Sequence, residues 1–470
     1  MRAQGTSSVT LSGRQSLREQ SARSATHCHH YQRNRNVADN TKVGPKRLRW
    51  PLLLFLVSLL VPWIITVGQL RMSAYRFVLI AMLLPCLHMW LTGKAGRIRP
   101  ADIALIAYCF WVFLAITMIH SFGHALQSGG MIFIETIGAY MLARCFIRNA
   151  DDFFNIVNAL FLIIATILPF AAYESLTGRN ISREFFSIFH ETFPDSYLDP
   201  RWGMRRVQSI FEHPILYGVF CASILALTHL VLGYERSFVQ RWLKTGTVTV
   251  AAFLSFSGGP ITAMTAQTLL LGWNWAFSKI DARWRILCGF GLLAAISIEL
   301  LSNRSVPVIF ISYFAFDESS ARVRVDIWNY GWQSALNHPL FGVGFNDWVR
   351  APWMSSSIDM FWIIDAVRHG IPAEFFMMLA FFAVYLPVAL KKGLTDRLSV
   401  YRTAYVIAMT GFFLVGWTVY FWNATYVVFV FLLGSGVWLL DQPGDGGNSR
   451  RVGRRVMAGP EHLRRGGIET

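Results

Sequence analysis

Apolar runs of about twenty residues recur along the chain from Pro51 to Leu440, and nothing constrains its fold more. In hydrocarbon a backbone must satisfy its own hydrogen bonds, so such runs fold as helices. Twelve spans are expected, at about 51–69, 74–92, 102–120, 129–147, 153–173, 213–233, 243–258, 260–278, 284–301, 371–390, 403–420 and 423–440. The seventh is short and meets the eighth at Ser257-Gly258-Gly259-Pro260, so the count spans eleven to thirteen. The expected fold is an all-α polytopic membrane protein. Only 15% of the 470 residues are charged, against about 25% in soluble domains, which excludes a set of soluble domains.

Charge sets the topology. The net charge is +16. Residues 1–49 and 441–470 read as basic tails flanking a membrane domain at 50–440. The amino-terminal tail reads as disordered, and its first apolar neighbour as an uncleaved anchor. With the amino terminus inside, the inner connectors carry fifteen Lys and Arg residues, whereas the short outer ones carry only Arg71 and Arg76. That asymmetry follows the positive-inside rule and leaves both termini cytoplasmic. Two long loops, at about 174–212 and 302–360, then face outward, while every inner connector is short. Such a chain works on its outer face.

Several function classes drop out. Basic tails beside spans set topology and touch anionic lipid, so nucleic acid is not an expected partner. The six cysteines form no CxxC pair and read as small packing residues. Thr26-His27-Cys28-His29-His30-Tyr31-Gln32 has metal-binding side chains but no second cluster, so no metal site is expected. The chain has no phosphate-binding GxxxxGK[ST] loop and no kinase motif set, and no nucleotide cofactor is expected. A transporter would show two similar halves and polar residues buried mid-span. Here Glu135 is the main mid-span charge.

The outer loops are rich in arginine. The first closes on Arg201-Trp202-Gly203-Met204-Arg205-Arg206, just before Glu212 and His213. The second holds Arg304, Arg322, Arg324 and Arg350. From Arg322 onward the spacing predicts an amphipathic helix, with Val325, Trp328, Trp332, Ala335 and Leu336 on one face. Arg322 and Asp326 are placed to pair. Pro339 should stop the helix near Asn337, and Gly342 and Gly344 permit a tight return. Guanidinium groups grip phosphate in planar, bidentate fashion. Several of them, converging from two loops, suggest a membrane-anchored phosphate or pyrophosphate ligand. A polyprenyl-diphosphate-linked sugar is such a ligand, already activated for transfer. Asp359 is either a base for an acceptor hydroxyl or the N-cap of a following helix. His213 and His338 each precede proline at a membrane boundary, and Asp365 and His369 are spaced to pair.

Three stretches, in order, carry a resemblance: "RRVQSIFEHPILYG" at 205–218, "SFSGGPITAM" at 255–264 and "RVRVDIWNYGWQSALNHPLFGVG" at 322–344. Together they resemble the O-antigen ligase and polysaccharide polymerase superfamily of integral membrane proteins, over about residues 174–440. The resemblance implies a periplasm-facing, metal-independent, inverting glycosyltransferase of the bacterial inner membrane. Its donor would be an undecaprenyl-diphosphate-linked glycan. Further implied partners are membrane lipid and a chain-length regulator of polysaccharide assembly. Arg206 and Arg322 match the family's arginine positions best, with Arg324 and Arg205 as alternates for holding pyrophosphate. Asp359 and His338 are the expected catalytic residues. Ligases carry a His-Asn pair shortly after the Gly-x-Gly element, where this chain reads Ser356-Ser357-Ile358-Asp359. The departure favours a polymerase of surface-polysaccharide repeats over a ligase, with a flippase as the alternative of another class.

Overall fold

A computed structural model describes residues 48–313 and 318–442. The two basic tails, but for their innermost residues, and the histidine-rich 26–32 stretch lie outside the described residues. The chain runs through α1 (Trp50–Leu59), a hairpin of β1 (Ile65–Val67) and β2 (Leu70–Met72), α2 (Ala74–Leu91), α3 (Pro100–Ile119), α4 (Phe122–Phe146) and α5 (Ala150–Thr177). The first long loop holds α6 (Ile181–Ser187). Then come α7 (Pro214–Leu230), α8 (Phe238–Phe253), α9 (Gly258–Ala276), α10 (Arg283–Leu301), α11 (Val306–Tyr313), α12 (Glu318–Asn337), α13 (Phe361–His369), α14 (Ile371–Leu390), α15 (Asp396–Val415) and α16 (Asn423–Asp441). The protein is an all-α polytopic membrane protein. Among the described residues, eight helices are long and apolar enough to cross a membrane: α2 to α5, α10, and α14 to α16. They coincide with eight of the twelve expected spans.

The other four differ for local reasons. The first expected span stops at Leu59, ahead of Pro62. The β-branched run after it pairs as a hairpin, with Gly68 at φ +62° opening a two-residue turn. The sixth, α7, breaks at Ile224 into two pieces. The seventh, α8, is displaced toward its amino end and takes in Arg241 and Lys244. The eighth, α9, has the length of a span but more polar residues.

The connections alternate between two ends of the bundle. One end is basic and tightly tied: Arg99 meets Asp441 at 2.5 Å, and Arg397 meets Asp151 at 2.9 Å. Nearby, Asp102 accepts from Arg144 Nε at 3.0 Å, the Tyr140 hydroxyl at 2.7 Å and Trp90 Nε1 at 2.9 Å. Asp102 and Arg144 are fully buried, and such a pair is tolerated only when so well bonded. The opposite end carries the hairpin, both long loops and the 416–422 turn. Gly218 lets α7 approach the α8–α9 junction, because a Cβ there would collide with Ser255 and Pro260.

The helix expected from Arg322 onward forms and ends at Asn337 as anticipated, although it begins before Arg322. Its buried seam only partly overlaps the expected face, of which Val325, Trp328 and Ala335 pack in the core. Ala321, Ile327, Gly331, Ser334 and Ala335 are buried, while Trp332 and Leu336 are exposed. Gly331 decides the rotation, since its missing side chain admits Ile363 and Val367 of α13. Arg322 pairs with Glu318 at 2.9 Å rather than with Asp326. The glycine return also forms: Gly342 and Gly344 stand at φ +68° and +61°. A Cβ on Gly342 would lie 2.5 Å from the backbone of Arg368.

Candidate functional site

The site is built around the break between α8 and α9. Phe256 takes a left-handed φ of +43°, and Ser257 then starts α9. The end of the first long loop runs beside this break. Val207 N–H donates to the Leu254 carbonyl at 3.1 Å, and Arg201 Nη1 donates to the Phe256 carbonyl at 2.7 Å. Arg206 Nη2 donates to Ser257 Oγ at 2.8 Å. Ser257 does not turn its side chain onto the first N–H groups of α9. The positive end of that helix therefore faces the same space as the Arg206 guanidinium.

Adjacent residues on extended chain point opposite ways, and this separates Arg205 from Arg206. Arg205 turns into its own loop. It meets Asp195 at 2.8 Å, lies 3.9 Å from Glu174 and donates to the Gly178 carbonyl. Glu174, buried at the end of α5, accepts from the N–H groups of Gln208 and Ser209 at 3.1 and 3.0 Å. Those bonds fix the segment that presents Arg206.

The second loop reaches the same place through the turn between α15 and α16. Arg324 Nε donates to the Thr418 carbonyl at 2.9 Å. Phe361 N–H, two residues past Asp359, donates to Gly416 and Val419 carbonyls at 2.8 and 3.1 Å. Gly259 packs its open side on Val415 and Val419. The α9 start, Arg324 and the segment bearing Asp359 thus share one turn. Arg322 does not join them, being exposed and paired with Glu318. Asp359 is exposed and accepts from the Ser357 hydroxyl at 2.5 Å. The N-cap of α13 is Met360, so the capping alternative for Asp359 is not what the structure holds. His338, just after α12, lies in a separate hollow of about 560 Å³, alongside Ile119 and Phe341.

In the sequence His213 stands out only by its place before proline. Its Nδ1 accepts from Ile215 N–H at 3.1 Å, capping α7. It lies within electrostatic reach of both Arg206 and Asp359. Burial and the Arg206 charge push it down to about 4, against the pull of Asp359, so it is neutral at physiological pH. Beside it, burial pushes the Glu212 carboxyl up to about 7. Glu212 accepts from Asn423 Nδ2 at 2.8 Å, and Asn423 Oδ1 accepts from Arg76 at 2.8 Å. Arg76 in turn meets Glu135 at 2.8 Å. The sequence marked Arg76 as a connector charge and Glu135 as an oddity, and only the fold joins them. Among the described residues, no group of three or more His, Cys, Asp or Glu side chains could hold a metal ion.

Residues 244–370 match the O-antigen ligase family. The matched stretch takes in Ser257, Arg322, Arg324, His338 and Asp359, and leaves Arg205, Arg206 and His213 outside. It supports placing the chain in the O-antigen ligase and polysaccharide polymerase superfamily. Members are glycosyltransferase-like membrane enzymes that act on lipid-linked glycans. The chain matches none of the curated proteins with which it was compared.

Proposed function

We propose that the protein polymerises undecaprenyl-diphosphate-linked oligosaccharide repeats into a surface polysaccharide at the outer face of a bacterial inner membrane. One observation carries this reading: Arg206, bonded to Ser257, and Arg324, bonded to the turn that packs on Gly259, converge from separate loops on the start of α9, where Arg206 and Asp359 both act on His213. In this reaction an acceptor hydroxyl oxygen attacks the donor's anomeric carbon. The bond from that carbon to the diphosphate oxygen breaks, and undecaprenyl diphosphate leaves with the electron pair. The arginines and the α9 terminus stabilise the growing diphosphate charge. Asp359, exposed beside this site, takes the acceptor proton. His213, neutral, with Nδ1 occupied by the Ile215 N–H, presents Nε2–H as a donor. Attack opposite the leaving group inverts the anomeric centre, and the charge stabilisation asks for no metal.

The description of the matched family, O-antigen ligase, favours a second reading, in which the glycan passes to a lipid acceptor. Deleting the gene and analysing lipid-linked glycans separates the two. Accumulation of single repeats is expected. Accumulation of long chains on undecaprenyl diphosphate would establish the ligase instead, and intermediates trapped on the cytoplasmic face would point to a flippase.

A further inference from the structure

Beyond His213, across Trp422, lies a cavity that the transfer step leaves unused. It measures about 120 Å³, where one water needs roughly 10–15 Å³, so it has room for one sugar ring. Its apolar walls include Trp422 and Tyr420, stacked at 5.7 Å, and Tyr108. Its polar walls include Glu135, Asp365 and His369. Both carboxylates are already hydrogen-bonded. Asp365 accepts from the Tyr108 hydroxyl and from His369 Nδ1, both at 3.0 Å. Glu135 takes Arg76 and the Tyr75 hydroxyl on Oε1. Acceptor capacity is left over, because Glu135 is nine-tenths buried and its Oε2 has no hydrogen-bond partner among the described residues. The same holds of the Tyr420 hydroxyl and His369 Nε2.

Aromatic faces beside hydrogen-bonded carboxylates suit a neutral ring with many hydroxyls better than an anion or a lipid tail. The position fits as well. Trp422 also lies 6.0 Å from the His213 ring, and Phe361, which lines the cavity, follows Asp359 by two residues. Asn423 holds a left-handed φ of +49° where α16 begins, which turns the Trp422 segment along the cavity wall. We propose that this cavity holds the terminal pyranose ring of the acceptor glycan, with Trp422 as its stacking platform and Glu135 and His369 bonding its hydroxyls. The assignment rests on the glycosyltransferase reading above and names its acceptor subsite.

The test uses the full chain in lipid nanodiscs. The probe is the repeat-unit oligosaccharide released by mild acid from the host's own lipid-linked pool, with binding read by saturation-transfer NMR. Wild-type protein should give strong transfer to one terminal ring. Trp422→Leu should weaken binding about tenfold and Trp422→Phe only about two-fold, since a ring face restores the platform. Arg206→Ala, which removes a diphosphate contact, should bind the free oligosaccharide as wild type does. Unchanged binding in Trp422→Leu, at an unchanged thermal midpoint, overturns the subsite. So does binding lost in Arg206→Ala but kept in Trp422→Leu. If wild-type protein extends lipid-linked glycan yet binds no oligosaccharide, the subsite falls while the polymerase reading stands. If Trp422→Leu loses oligosaccharide binding while gene deletion leaves the lipid-linked glycans unchanged, the cavity binds sugar and the polymerase reading falls.

Discussion

At the residue scale, the informative contrast is among arginines that look alike in the sequence. Arg322 and Arg324 are two apart on one helix, yet only Arg324 reaches the shared turn, while Arg322 stays exposed. Arg206 and Arg205 are neighbours, yet only Arg206 reaches Ser257. The residue types were legible, because paired guanidiniums in two loops already suggested phosphate. The choice among them was not, because it depends on which way each side chain turns in the fold. Arg206→Ala and Arg324→Ala should each lower glycan extension by about 100-fold or more, the cost of losing a transition-state charge partner. Arg322→Ala should fall only a few-fold, since an exposed ion pair contributes little. Equal loss in all three, in membranes with matched protein levels, would return Arg322 to the site. Glu212 gives a pH signature. Its ordinary value is 4.5 and burial moves it to about 7, so between those values the folded protein binds more protons than the unfolded chain. From this group, stability therefore falls as pH rises through that window, by up to about 1.4 kcal/mol per unit. Lowered His213 works oppositely between about 4 and 6.5. Glu212→Gln removes only the first effect, so its thermal midpoint relative to wild type should climb from pH 5 to pH 7. A constant difference across that range would refute the shift.

At the element scale, periodicity and punctuation located the long helices well. The expected 371–390 span coincides with α14, and 74–92 nearly with α2. Long apolar runs have one answer in lipid, so little else competes. What could not be read was where a helix breaks internally. In α4, residues 125–129 and 134–138 wind as π-helix, and Glu135 sits in the second such turn. No proline marks these turns, and the single charge, Glu135, does not by itself announce wider winding. Wider winding is common where a side chain must be aimed for a purpose, and here it brings Glu135 to Arg76 and the sugar-sized cavity. The first expected span failed for the reverse reason: its β-branched tail found a hairpin partner across Gly68. The return after α12 was legible because glycine alone tolerates its backbone. Gly342→Ala should therefore destabilise the protein by about 1–3 kcal/mol. The strain arises from both the left-handed φ and the close approach to Arg368, so the thermal midpoint in detergent should drop. An unchanged midpoint would mean that the loop moves aside freely.

At the scale of the whole molecule, the bundle is polar along its axis. All the connectors read as basic lie at one end, tied by Arg99, Arg397 and the buried Asp102–Arg144 pair. Both long loops, the arginine site and the cavity lie at the other. Charge alone marks this division in the sequence, and the fold brings the same segments to a shared end. The positive-inside rule leads us to expect the basic end at the cytoplasm, and the proposed chemistry depends on that orientation. Lipid-linked repeats meet the arginines only if the loop end faces outward. Asp199 and Lys392 are exposed at opposite ends, and each can carry a single reporter thiol once Cys28 is replaced by serine. The remaining cysteines are buried, apart from Cys288 on the face of α10, which a charged reagent does not reach through lipid. A membrane-impermeant maleimide should label Asp199→Cys in intact spheroplasts. Lys392→Cys should react only after the membrane is permeabilised. The opposite pattern would invert the molecule and put Arg206, Arg324 and Asp359 on the wrong side for extending a translocated glycan.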